Sequence, residues 1–137
     1  DITKVPFNQF VGLERSLRDG FLFRLPAGDQ YTNHLGTVHA GALMTLAEAT
    51  SGEVLLRSVG DWDPAWVPVV RRFECKFRKP ATGSVDARGE IPESGVSQLL
   101  AELGRRRRAS IDIPVEVYDV AGVHCCSASV EWFIAVS

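Results

Sequence analysis

The chain of 137 residues holds only three cysteines, Cys75, Cys125 and Cys126. An odd count that includes an adjacent pair excludes a disulfide framework. Free thiols belong to reducing compartments, so a cytoplasmic location is expected. No apolar run approaches the ~18 residues needed to cross a bilayer, so no membrane span is expected. Charge of either sign is scarce in excess: 15 Lys and Arg face 17 Asp and Glu, a net charge of −2. That balance excludes nucleic acid as the expected partner. No G-x-S-x-G turn is present, which excludes the serine hydrolases built on that elbow. His124-Cys125-Cys126 invites a metal reading, but neighbours on a strand face opposite ways and no second ligand pair has zinc spacing. No metal site is therefore expected. There is no internal repeat and no low-complexity tract. The chain begins at Asp1 rather than Met, which leaves open a targeting segment removed upstream.

A hydrophobic content of 45% and a length suited to one core predict a single domain over residues 1–137. Residues 6–18 place Phe7, Phe10, Val11 and Leu17 near helical spacing. Residues 20–25 read as a first strand, ended by Pro26-Ala27-Gly28-Asp29. Residues 39–59 read as the main helix, rich in small residues, as suits a helix wrapped closely by a sheet. Residues 67–79 form a long strand in which Phe73, Cys75 and Phe77 alternate with Glu74, Lys76 and Arg78. The turn Pro80-Ala81-Thr82-Gly83 leads to another strand over 84–91. A short extra helix follows, capped at Ser94 or Ser97 and stopped by Gly104. Residues 107–118 and 123–135 are the last strands, with Ile111, Ile113, Val115 and Val117 alternating. A helix followed by a run of strands predicts an α+β domain with an antiparallel sheet and helices on one face.

The stretch from Asn33 to Glu48 concentrates the chemistry. It places a polar side chain (Asn33), the turn His39-Ala40-Gly41 and a carboxylate inside an apolar helix (Glu48). The first N–H groups of a helix have no intrahelical acceptor and carry partial positive charge, so they can hold an oxyanion. A carboxylate among Leu43, Leu46 and Ala47 is costly to bury without a partner or a task. Together they read as an oxyanion site and a base. The competing reading makes Glu48 a structural carboxylate paired with Arg71 or Arg57, and Asn33 a side chain that closes its own loop.

This arrangement resembles the hotdog-fold acyl-CoA thioesterases, in particular the phenylacetate-pathway type. Their pattern is Asn, six residues on His-Gly-Gly, then a helix bearing Asp or Glu. Here His39 follows Asn33 by six, Ala40 replaces the first Gly, and Glu48 replaces the usual Asp. The resemblance implies an antiparallel sheet of five or six strands wrapped around one long central helix. It implies the Ala40 N–H as oxyanion donor, Asn33 as holder of water or carbonyl, and Glu48 as general base or nucleophile. His39 would orient the loop, and Gly41 would line the substrate site beside it. Alanine at 40 is compatible only with ordinary right-handed helical backbone. Coenzyme A would enter as part of the substrate, with no separate cofactor. Arg105, Arg106 and Arg107, in the run Arg105-Arg106-Arg107-Arg108, would meet its phosphates. The solvated turn is the alternative for that run. The longer connection through the extra helix resembles an uncharacterised branch of hotdog proteins.

Eight residues of helix separate Ala40 from Glu48, a rise of about 12 Å. Oxyanion donor, carbonyl carbon, water and carboxylate span only roughly 6–7 Å at hydrogen-bond lengths. One helix cannot easily supply both, so a homodimer or dimer of dimers with antiparallel helices is expected. Aligning back from Pro80 places Arg71 where the resembled enzymes carry Ser or Thr near the carboxylate. An arginine there would pair with Glu48, lower its pKa and weaken it as a base. Arg71 would then mark either a charged acyl group or a non-catalytic domain that binds acyl-CoA or an acyl carrier. A hydratase or dehydratase, which also uses a helix carboxylate, is a third reading without a supporting His-Phe-Pro-type loop.

Overall fold

The computed structural model describes residues 1–137, built around one buried helix. Helix α2 (Ala40–Val59) starts at His39, whose side chain caps it, and stops at Gly60, which takes φ 80. A run of buried positions from Leu43 to Leu55 surrounds it on most sides. Its small residues make that enclosure possible. At Gly52 a Cβ would already touch Ile2 Cδ1 at 3.4 Å and Trp132 Cζ2 at 3.5 Å.

Six antiparallel strands wrap this helix. They are β1 (Glu14–Arg15), β2 (Phe23–Leu25), β3 (Trp66–Phe77), β4 (Val85–Arg88), β5 (Arg108–Asp119) and β6 (His124–Val136). Their order across the sheet is β1-β2-β4-β5-β6-β3. In β5 the residues Ala109, Ile113, Val115 and Val117 are buried. They stand opposite Ile134, Val130, Ala128 and Cys126 of β6, so period-two alternation turns one apolar face onto α2. Strand β3 is an edge, bonded to β6 alone, and it leaves Val67, Val69, Val70 and Phe77 exposed.

Two helices differ from their sequence outlines. Helix α1 (Pro6–Val11) ends early because Gly12 turns at φ 90. A Cβ there would lie 2.8 Å from the Tyr31 hydroxyl, which donates to the Val11 carbonyl. Helix α3 (Glu93–Arg106) begins after Pro92, ahead of both expected serine caps, and runs through Gly104. Leu99 and Leu103 are buried against Val54, Leu55, Ile113 and Ile134. That burial outweighs the ~1 kcal/mol a helical glycine costs. The helix stops one turn later at Arg107, a non-glycine residue at φ 59.

Strands β2 and β4 are shorter than their sequence ranges. Beyond Arg88 the chain leaves the sheet at Gly89, where a Cβ would stand 2.5 Å from the Pro114 carbonyl oxygen. Behind the sheet, the fully buried Asp86 accepts from Arg24 Nε at 2.9 Å, Arg24 Nη2 at 3.0 Å and Ser16 Oγ at 2.5 Å. No helix is long and apolar enough to cross a membrane. All three cysteines are free thiols, with Cys125 and Cys126 buried and Cys75 half-buried in the main core.

Candidate active site

Asn33 builds the loop that delivers the site. Its Oδ1 accepts from the N–H of Leu35 at 2.9 Å and of Thr37 at 3.1 Å, and its Nδ2 donates to Thr37 Oγ1 at 2.9 Å. Its backbone N–H donates to the Thr37 carbonyl at 2.8 Å. The side-chain oxygen closes the loop, as the loop-closing reading requires, while Nδ2 keeps a second N–H on the pocket beside Ala40. Asn33→Ala should lower the unfolding free energy by about 1 kcal/mol, whereas Asn33→Asp, which keeps the acceptor, should stay near wild type. Urea titration of both variants checks this; equal midpoints for wild type and Asn33→Ala would refute the loop role.

His39 is the N-cap of α2. Its Nδ1 accepts from the Gly41 N–H at 2.8 Å, which leaves Nε2 to carry the proton in the neutral ring. Its own N–H donates to the Tyr31 carbonyl at 2.7 Å. The orienting role expected of His39 therefore has a physical form. The same bond occupies the Gly41 N–H, so Gly41 can line a site but does not donate there. Glycine is needed at 41 for space, since a Cβ would stand 3.1 Å from His39 Nδ1. With the Gly41 N–H taken, the Ala40 N–H is left at the helix start with no acceptor in its own chain. Ala40 has ordinary helical backbone, as alanine requires, because Arg107 is the one non-glycine residue with positive φ.

Glu48 lies two turns further along α2, half-buried. Desolvation raises its pKa above the ordinary glutamate value, and no cation opposes the shift. Neither expected arginine reaches it. Arg57 pairs with Glu53 at 2.9 Å. Arg71 sits in a bulge of β3 between Val70 and Arg72, and its Nη2 meets Ser110 Oγ at 3.0 Å and Glu131 Oε2 at 3.3 Å. Its guanidinium covers the Phe133 ring at 4.7 Å. These partners lie on the sheet face turned away from α2. The expected Arg71–Glu48 pair is thus corrected: the extra residue of the bulge reverses the direction that simple alternation assigns.

Arg71 joins the arginine run instead. With Arg106, Arg108, Ser110 and Phe133 it lines an open cleft of about 380 Å³. Arg105 and Arg106 pair with Glu102 in the last turn of α3, and Arg107 ends that helix. This cleft lies by the C-terminal half of α2, at the opposite end from Ala40. Beside Ala40 the cations are Arg78 and Lys79, which line a pocket of about 300 Å³ with Asn33, Leu43 and Phe77. Sequence reasoning missed them, although they sit just before the turn at Pro80. It also missed Trp132, whose Nε1 donates to Ser51 Oγ at 2.9 Å while that hydroxyl donates to the Glu48 carbonyl at 2.6 Å. No group of three His, Cys, Asp or Glu side chains converges as a metal site would need.

A sheet of six antiparallel strands curled around one long helix makes this a hotdog-fold protein of the thioesterase superfamily. The chain belongs to the family described as a domain of unknown function (DUF4442), whose model matches residues 5–134. It is similar to a Pseudomonas aeruginosa protein of unknown function described as a probable thioesterase, with 28% identity and a TM-score of 0.81 over 99% of this chain and 91% of that one. A Chlorobaculum tepidum protein of unknown function shares 24% identity, with a TM-score of 0.83 over 98% of this chain and 88% of that one. A Bacillus halodurans protein crystallised with CoA shares 21% identity, with a TM-score of 0.63 over 82% of this chain and 69% of that one. Nothing among the curated proteins matches the chain.

Proposed function

We propose that the protein hydrolyses acyl-CoA thioesters at a site shared between two copies of the chain. The observation that carries this is Glu48, a half-buried carboxylate on the central helix with no cation to neutralise it and a raised pKa. A group so placed is available to accept a proton. As general base it would take a proton from water while that water attacks the thioester carbonyl carbon. The Ala40 N–H would receive the developing negative charge on the carbonyl oxygen. The C–S bond then breaks, and the departing thiolate takes the proton from Glu48. Glu48 as nucleophile, with water releasing the acyl group afterwards, uses the same two groups. Water and groups of the chain suffice for this chemistry, with CoA entering as part of the substrate. The non-catalytic reading loses its supporting residue, because Arg71 turns away from Glu48.

The long free edge of β3 supports self-association, since an unpaired edge with exposed Val67 and Val69 is a template for a second copy. An antiparallel pair of α2 helices would bring the Ala40 end of one chain beside the arginine-bearing end of the other. Arg78 and Lys79 of the first chain and Arg71, Arg106 and Arg108 of the second would then follow the phosphates of the leaving CoA. Three free cysteines support a reducing compartment such as the cytoplasm.

Ala40→Pro is a clean test, because proline is favoured at the first helical position and removes only the N–H. His39 already has the extended backbone that precedes proline, φ −63 and ψ 140. Thiol release from acyl-CoAs should fall by about 10²–10³ in this variant, the usual cost of one oxyanion donor. Mixing it with Glu48→Gln under conditions that exchange subunits should restore about a quarter of wild-type activity, since half of the dimers then hold one intact site. No recovery, in a mixture shown to contain heterodimers, would place both groups in one chain and refute the shared site.

A further inference from the structure

A groove of about 510 Å³ opens beside the start of α2, within the range of small-molecule sites. Gly41, Ala42 and Thr45 line one side, and Phe7, Phe10 and Tyr31 line the other. None of its lining residues is an Asp, Glu, Lys or Arg. Phe7 and Phe10 are 61% and 85% exposed. They face outward because Asn8, between them, is buried and donates to the Ile2 carbonyl at 3.1 Å. Thr45 Oγ1 is satisfied by the Gly41 carbonyl at 2.9 Å.

Helical spacing connects this groove to the proposed site. At 3.6 residues per turn, Gly41, Thr45 and Glu48 fall on one stripe of α2. Leu43 falls on the opposite side and Ala40 about 100° round from Gly41, both facing the pocket that holds Arg78 and Lys79. One side of the helix start is therefore uncharged and aromatic, and the other is cationic. In the shared site the uncharged groove comes from the chain that supplies Glu48 and the cationic pocket from the chain that supplies Ala40, which suits a thioester with an apolar acyl group on one side of the carbonyl and a phosphate-bearing thiol on the other.

We propose that the groove binds the acyl group, an uncharged alkyl or aryl chain lying along Glu48, Thr45 and Gly41 of the chain that supplies Glu48, with Phe7 and Phe10 setting its preferred length. This rests on the thioesterase reading and adds its substrate class. Charged acyl groups would find no lysine or arginine there.

Binding of non-hydrolysable S-alkyl-CoA thioethers, ethyl and octyl, tests it by calorimetry without requiring turnover. Wild type should bind octyl-CoA at least about tenfold tighter than ethyl-CoA, since six further methylenes leave water. In Phe7→Ala/Phe10→Ala that preference should fall to within about threefold, with ethyl-CoA affinity unchanged. Both residues are exposed, so the fold should survive, and circular dichroism checks this. An octyl preference retained by the double variant would overturn the inference. So would conversion of a dimer to a monomer, which would make the groove a subunit contact. Thioesters hydrolysed by a wild type that shows no length preference in binding would sink the groove and leave the hydrolase reading intact. Length-dependent binding with no thioester hydrolysed would do the reverse.

Discussion

Glu48→Gln should abolish thioester hydrolysis, by about 10²–10⁴, and at the same time make the protein more stable at neutral pH. The first effect follows from losing the only group on α2 placed to take a proton. The second follows from desolvation. Burial raises the Glu48 pKa in the folded chain, so between the ordinary value near 4.3 and the raised one the folded state holds more protons than the unfolded state. Stability therefore falls as pH rises through that window, and the ionised carboxylate is a standing cost above it. Glutamine has the same shape and no charge to desolvate. The melting temperature of Glu48→Gln should exceed that of wild type at pH 7 and converge with it at pH 4, where both are neutral. Activity of wild type should decline on the acid side with a midpoint above the ordinary glutamate range. A variant that melts lower than wild type at pH 7 would show that Glu48 is a stabilising structural carboxylate. Such a result would remove the observation on which the functional reading rests.

Asp86→Ala should be the most damaging single change to the fold. Burial pushes the Asp86 pKa up, but hydrogen bonds from Arg24 and Ser16 and the charges of Arg24 and Arg18 more than offset this and leave it below the ordinary value. Removing the carboxylate leaves Arg24 with only the charge of Glu14 and Arg18 with only its bond to the Asp119 carbonyl. Breaking a buried pair typically costs about 3–5 kcal/mol. The lower end is expected here, because the Arg24 and Arg18 side chains keep 29% and 32% of their surface in water. The stabilisation is fully present above the unfolded-state value near 3.9 and is lost as pH falls through the lower folded value. Urea midpoints at pH 7 and along an acid titration give both quantities. A midpoint for Asp86→Ala within error of wild type would mean that the network contributes specificity of pairing between β2 and β4 and no net stability.

Features that depend on near neighbours along the chain were legible before any fold was known. The α+β order, the span of α2, the alternation of β5 and the spacing from Asn33 through His39 to Glu48 were legible because caps, helical period and strand period are local. A loop-closing and a ligand-holding Asn33 look alike in sequence, since both uses need the same residue in the same turn. Where side chains point once strands meet was settled by long-range packing. Arg71 could not be placed from Pro80, because one bulged residue in β3 reverses the face of everything before it. The extent of α3 escaped because buried Leu99 and Leu103 hold a helix that the serine caps would have trimmed at its start and Gly104 at its end. Asp86 meets Arg24 across 62 residues of sequence, and Trp132 reaches Ser51 across 81. The aromatic groove joins α1 to α2 only after the turn at Gly12 has been closed by Tyr31. Such contacts carry no local signal, because a pairing that costs loop entropy to form leaves no period in the chain for a sequence to display.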